Sequence, residues 1–146
     1  MAKRRYGLGF LAALLVVGAC GHDSHGSSGD DAKAPARTID VEMSEFAYAP
    51  TTVAVQAGET VKFVFHNAGL IIHDAFIGDE AAQAKHEKDM RSGDMDKAHH
   101  GDDGVTVEPG KTGSLTHTFE RAGTLLIGCH QPAHYQAGMK LNITAA

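Results

Sequence analysis

At 146 residues the chain has room for one domain with a core of ordinary size, and 42% hydrophobic residues, 17 glycines and no tryptophan suit a compact β-rich domain with flexible additions. Its formal charge is −5, and beyond residue 20 ten basic residues face all 18 acidic ones, a balance of −8. An acidic chain repels polynucleotides and favours basic partners, which excludes nucleic acid as a ligand class.

Lys3, Arg4 and Arg5 precede an apolar stretch, Leu8 to Ala19, that is too short to span a bilayer comfortably and reads as a targeting segment. It ends in Val17-Gly18-Ala19-Cys20, which resembles a bacterial lipobox. In that reading residues 1–19 are a lipoprotein signal peptide and Cys20 becomes the first mature residue and carries the lipid. Ordinary secretion with a free Cys20 is the alternative. The Arg4-Arg5 pair hints at twin-arginine export, although the surrounding motif is incomplete. After Cys20, residues 21–37 are rich in Gly, Ser and Asp without apolar periodicity, as expected of a disordered tether. His22 and His25 read there as incidental polar residues. The expectation is an exported, membrane-anchored lipoprotein that faces the periplasm or the cell exterior, with its folded domain over residues 38–146.

From Thr38 the pattern becomes that of strands. Ile39 and Val41 alternate with polar neighbours, Phe46 and Tyr48 continue the alternation to Pro50, and Thr52 to Val55 is a short β-branched run before a turn at Ala57-Gly58-Glu59. In Thr60 to His66, Val61, Phe63 and Phe65 share one face, with Lys62 and His66 opposite, as in a half-buried antiparallel strand. His66 is therefore placed at the surface or rim. Asn67-Ala68-Gly69 breaks the strand, and Leu70 to Phe76 resumes it with His73 in the middle. An imidazole flanked by Ile71, Ile72, Ala75 and Phe76 is costly to bury unless its nitrogens are engaged. It is either a satisfied core histidine or a ligand.

Residues 79–104 are the least strand-like part of the domain. Asp79 is placed to N-cap a helix from Glu80 to about Arg91, with Ser92 and Gly93 ending it. His86 and Met90 share a face of that helix, and Met95, His99 and His100 follow. The plain reading is a solvated helix and loop covering one end of the domain. The sharper one is an auxiliary Cu(I) site built from these His and Met residues.

Val105 to Val107 reads as a short strand, and Ser114 to Phe119 as another with Leu115, His117 and Phe119 on one side. Thr124 to Ile127 runs directly into Gly128 and Cys129, and Lys140 to Thr144 forms the last strand. About eight short strands with frequent turns imply an all-β antiparallel sandwich carrying one short helical insertion.

Between the last two strands lies GCHQPAHYQAGMK, residues 128–140. Cys129, His134 and Met139 offer a thiolate, an imidazole and a thioether, with four residues separating each from the next. A thiolate and imidazoles in a trigonal plane with a weak axial thioether select copper and give the electron-transfer type of site. Zinc also takes Cys and His but prefers a tetrahedral N/S set without a thioether, so Met139 argues for copper. The second imidazole must come from upstream, and His73 is the best candidate. His130, next to Cys129, is expected to point away from the metal. With Cys20 acylated and Cys129 ligating, no disulfide forms.

On these residues, with Pro132 between Cys129 and His134, the chain resembles the cupredoxins, the blue-copper family. The spacing resembles the longer-loop, rusticyanin-like and auracyanin-like type. VEMSEFAYAPTTVAVQAGETVKFVF and VEPGKTGSLTHTF also look like cupredoxin strands, so the resemblance covers about residues 38–145. It implies a Greek-key cupredoxin fold with one mononuclear type 1 copper held by His73, Cys129 and His134 in the plane and Met139 axially. It further implies that His134 is the exposed edge through which electrons pass, and that the residue after His73, here Asp74, braces the site. The first functional reading is a monomeric one-electron carrier that exchanges with a redox protein. The alternative is a periplasmic copper chaperone or resistance protein that passes the metal to a copper acceptor. Catalysis is not indicated, because a binuclear centre of the oxidase kind would need a second Cys in this loop.

Overall fold

The computed structural model describes residues 35–93 and 103–146. Residues 1–34, on which the readings of a signal peptide, a lipidated Cys20 and a tether fall, lie outside the described residues, as do Met95, His99 and His100.

Nine strands and one helix follow in order: β1 (Arg37–Ser44), β2 (Ala47–Ala49), β3 (Thr52–Val55), β4 (Thr60–Asn67), β5 (His73–Gly78), α1 (Glu80–Ser92), β6 (Gly104–Val107), β7 (Thr112–Thr118), β8 (Gly123–Gly128) and β9 (Lys140–Ala145). One sheet has the order β2-β1-β4-β7 and the other β3-β9-β8-β5-β6. Strand alternation sets which side chains face inward. Val41 and Met43 of β1, Val61, Phe63 and Phe65 of β4 and Leu115 of β7 meet Ala75, Ile77, Ile127, Leu141 and Ile143 of the second sheet in one core. Each large member contributes about 1.5–3 kcal/mol through burial. The result is the Greek-key β-sandwich expected, with two pairings that periodicity alone does not reveal. β1 runs parallel to β4 and β3 parallel to β9, each pair joined across the two sheets rather than by a hairpin.

Two local expectations are corrected. The alternation from Ile39 to Pro50 is not one strand. The chain reverses at Glu45-Phe46, pairing Ser44 with Ala47, and Phe46 takes a left-handed φ of 62°. No Gly, Pro or Asn marks this turn, so the sequence reads straight through it. Nor does the strand resume at Leu70: β5 begins at His73, and Leu70, Ile71 and Ile72 are 87%, 40% and 39% exposed. Asn67 explains that loop. Its side-chain N–H groups donate to Ile71 O (2.8 Å) and Val107 O (2.9 Å), and its Oδ1 accepts from the Gly69 N–H (2.9 Å). The buried amide substitutes for ladder hydrogen bonds and holds the three apolar residues outward.

The insertion helix forms as expected. Asp79 caps α1 by accepting the Ala82 N–H at 2.8 Å, and Gly93 ends it at φ 71°.

Candidate metal centre

Three strand ends converge on the site. His73 is the first residue of β5, Cys129 directly follows β8, and Met139 directly precedes β9. The β8–β9 ladder, which pairs Gly128 with Lys140, is continued by a Cys129 N–H bond to Met139 O at 3.2 Å. The Met139 N–H in turn donates to His134 O at 3.0 Å, and the His134 N–H to Gln131 O at 3.0 Å. The loop is thus closed on itself by backbone hydrogen bonds.

His73, Cys129 and His134 are all buried, and their donor atoms lie within 4.8 Å of one another. Nδ1 of His134 is 3.2 Å from Nδ1 of His73 and 3.3 Å from Cys129 Sγ, and Sγ is 3.8 Å from His73 Nδ1. Nitrogen and sulfur ligands at about 2.0–2.3 Å from a shared ion in a trigonal plane stand about 3.5–3.8 Å apart. The three donors are therefore already close to ligating separation. Met139 is 0% exposed and tied by its backbone to Cys129 and His134.

The electrostatics fit a soft cation. Burial pushes the Cys129 thiol up to about 11, against which the Asp74 N–H bond to Sγ, 3.3 Å, acts in the opposite sense. Burial lowers the basicity of both His73 and His134, and for His73 the neighbouring His134 adds to the effect. Two neutral imidazoles and a thiol that surrenders its proton to a metal are the donor set copper takes. His73 Nε2 is buried without a hydrogen-bond partner, a desolvation cost of about 1–3 kcal/mol.

Asp74 braces the site as expected, through more groups than the sequence suggested. Its N–H reaches Cys129 Sγ, and its carbonyl accepts from the buried Tyr48 hydroxyl. One carboxylate oxygen accepts from Thr106 Oγ1 and the other from Gln131 Nε2, each at 2.9 Å. β2, β5, β6 and the ligand loop are thereby joined at one residue.

One further expectation is corrected. His134 is only 4% exposed, because Phe46 lies edge-on against its ring with centroids 4.8 Å apart. Phe46, itself 47% exposed, is the solvent-facing group. His86 stacks on Phe76 at 3.9 Å, nearly parallel, and is 6% exposed. Met95, His99 and His100, which the auxiliary Cu(I) reading joins to His86 and Met90, lie outside the described residues. His66 is exposed and bonded to Asp40 and Thr112, as its place on β4 requires. His130 points away from the three donors, as expected. Residues missed by reading the sequence are Phe46, Gln83 and Glu87. The one available signal was the four-residue spacing of Gln83 and Glu87 on α1.

A buried Cys and two buried His at converging strand ends of a Greek-key sandwich define a small copper-binding protein. The chain belongs to the family of copper binding proteins of the plastocyanin/azurin type, whose pattern matches residues 35–146. It is 35% identical to the copper-resistant cuproprotein CopI of Pseudomonas aeruginosa over 165 aligned positions, covering 92% of this chain and 91% of that protein. It is 39% identical to the copper-resistant cuproprotein CopI of Rubrivivax gelatinosus, covering 84% and 76% respectively. Among solved structures, reduced auracyanin from Roseiflexus castenholzii superposes with a TM-score of 0.63 at 26% identity, over 77% of this chain and 99% of that one. An azurin from Methylomonas sp. strain J, 12% identical, shares the fold with a TM-score of 0.64 over 76% of this chain and 98% of its own.

Proposed function

We propose that His73, Cys129, His134 and Met139 would hold one type 1 copper ion and that the chain serves as a one-electron carrier. The observation that carries this is the convergence of three buried donor atoms within 4.8 Å of one another at converging strand ends. Copper bound there supplies a one-electron couple. The chain's own residues keep the geometry constant: Asp74 fixes the sulfur, the β8–β9 ladder fixes the loop, and the apolar core behind Cys129 excludes water.

A second reading is favoured by the CopI relatives, which are named as copper-resistant cuproproteins. The same site would then retain copper or pass it to an acceptor protein. In either reading the domain acts as a monomer outside the cytoplasm, tethered by a lipid on Cys20, and meets a redox partner or a copper acceptor. Cys129→Ser is expected to abolish the intense visible band of the copper-loaded protein, and Met139→Leu to keep the band and shift the potential. Reversible electrochemistry with slow copper loss supports the carrier, and rapid transfer of Cu(I) to an acceptor supports copper handling. A Cys129→Ser protein with the full band would overturn the site assignment.

A further inference from the structure

Helix α1 grips the loop between Cys129 and Met139 at groups that are not ligands. Gln83 is 1% exposed, and its side-chain N–H groups donate to Phe76 O of β5 (3.0 Å) and Leu126 O of β8 (2.9 Å). With the amide nitrogen so committed, Oε1 is fixed as an acceptor, and His130 Nε2 lies 2.7 Å from it. On the other side of the ring, Glu87 Oε2 lies 2.6 Å from His130 Nδ1. Both ring nitrogens of His130 are thus held by side chains of α1.

Glu87 has a second arm. Its Oε1 accepts from Gln136 Nε2 at 2.7 Å and from Arg91 Nη2 at 2.7 Å, the latter along the helix. Burial acts to raise the Glu87 carboxyl, but hydrogen bonds from His130 and Gln136 outweigh it and hold the group below the usual range. His130 is the neighbour of Cys129, and Gln136 lies between His134 and Met139. One carboxylate thus holds the loop on both sides of His134.

Ring packing reinforces the grip. His130 stacks on Tyr135 with centroids 4.6 Å apart and meets His86 edge-on at 4.8 Å, while Lys140 Nζ caps the Tyr135 ring at 3.9 Å. Gly128 shows how closely the parts approach. A Cβ there would lie 2.7 Å from both Gln83 Oε1 and Tyr135 Cε2.

We propose that Gln83 and Glu87 are positioning residues of the metal centre: α1 holds the Cys129–Met139 loop in its metal-ready form through His130 and Gln136. The consequence for copper rests on the copper reading above, whereas the ordering of the loop does not require metal. Without these contacts the loop opens more often, and both copper retention and the Cys–copper geometry suffer.

The test begins with amide hydrogen exchange of the metal-free full chain. The backbone N–H groups of Cys129, His134, Ala137, Gly138 and Met139 are all hydrogen-bonded and report the loop directly. In Glu87→Ala their protection is expected to fall by about tenfold, with β4 unaffected; Gln136→Ala loses less, and only from 134 onward. In the copper-loaded protein, Glu87→Ala is expected to shift the visible band and release Cu(I) to a chelator about tenfold faster. Glu87→Gln, which keeps the side chain's shape and one acceptor, restores most of both. Unchanged loop exchange and release in Glu87→Ala would overturn the proposal, and so would loss of protection confined to α1. Should Glu87→Ala be too unstable to isolate, an unaltered 134–139 segment in Gln136→Ala overturns it. An unaltered chain that binds no copper would defeat the functional reading while leaving the exchange result to stand.

Discussion

Cys129 carries the chemistry of the site and also its pH dependence. A thiol pushed up to about 11 is protonated at neutral pH, and burial keeps His73 and His134 below the usual imidazole range, hence largely uncharged there. Copper uptake near neutrality should therefore release one proton per site, taken from Cys129. Apparent affinity should fall by about tenfold for each pH unit of acidification, and more steeply only at a pH below the ordinary imidazole value of about 6.5, since burial delays protonation of both rings. Competition titrations between pH 6 and 9 (roughly, the window these groups define) check the slope, and a flat profile would exclude Cys129 as the ligand that gives up the proton. Phe46 is the second informative residue. It sits at φ 62°, a conformation that costs an aromatic side chain about 1–3 kcal/mol, and it covers the His134 ring. Phe46→Asn, which tolerates the left-handed backbone, should leave stability within about 1 kcal/mol of the original and uncover His134. Stopped-flow reaction with a small redox reagent should then run several-fold faster; an unchanged rate would mean that electrons do not pass by this edge.

At the scale of elements, the ligand loop is fixed from three directions: by the β8–β9 ladder, by Asp74 of β5 and by helix α1. Gly128 lies where the ladder and the helix contacts meet. Gly128→Ala would drive a methyl group into Gln83 and Tyr135, and should cost about 1–3 kcal/mol in thermal unfolding of the metal-free protein. A neutral result would show that the loop yields easily and that its packing is looser than the distances imply. Much of this level was legible in the sequence because its signals are local. Alternation marked β4 and β7, Asp79 and Gly93 marked both ends of α1, and the even spacing of Cys129, His134 and Met139 marked the loop. What escaped had no local signal. The Glu45-Phe46 reversal lacks turn residues, and Leu70 to Ile72 look like strand until the Asn67 side chain is seen to hold them outward. The partnership of Gln83 and Glu87 with His130 joins residues more than forty positions apart, which periodicity cannot see.

For the whole molecule, the central feature is that the fold brings the donors of one site together from distant parts of the chain. Two sheets sharing one core fix the ends of β5, β8 and β9, and those ends carry His73, Cys129 and Met139. A scaffold of this kind resists change in ligand geometry between Cu(I) and Cu(II), which keeps the reorganisation that accompanies electron transfer small. The parallel β1–β4 and β3–β9 pairs contribute by tying distant parts of the chain into the same sheets, and they were invisible in the sequence because alternation does not encode partner or direction. Membership of the plastocyanin/azurin family agrees with this architecture over residues 35–146. The most direct measurement is the visible and electron paramagnetic resonance spectrum of the chain after addition of one equivalent of Cu(II). Copper held by His73, Cys129, His134 and Met139 would give an intense thiolate-to-copper band with narrow copper hyperfine splitting, saturating at one ion per chain. A colourless complex with the wide hyperfine splitting of nitrogen and oxygen ligation would contradict it.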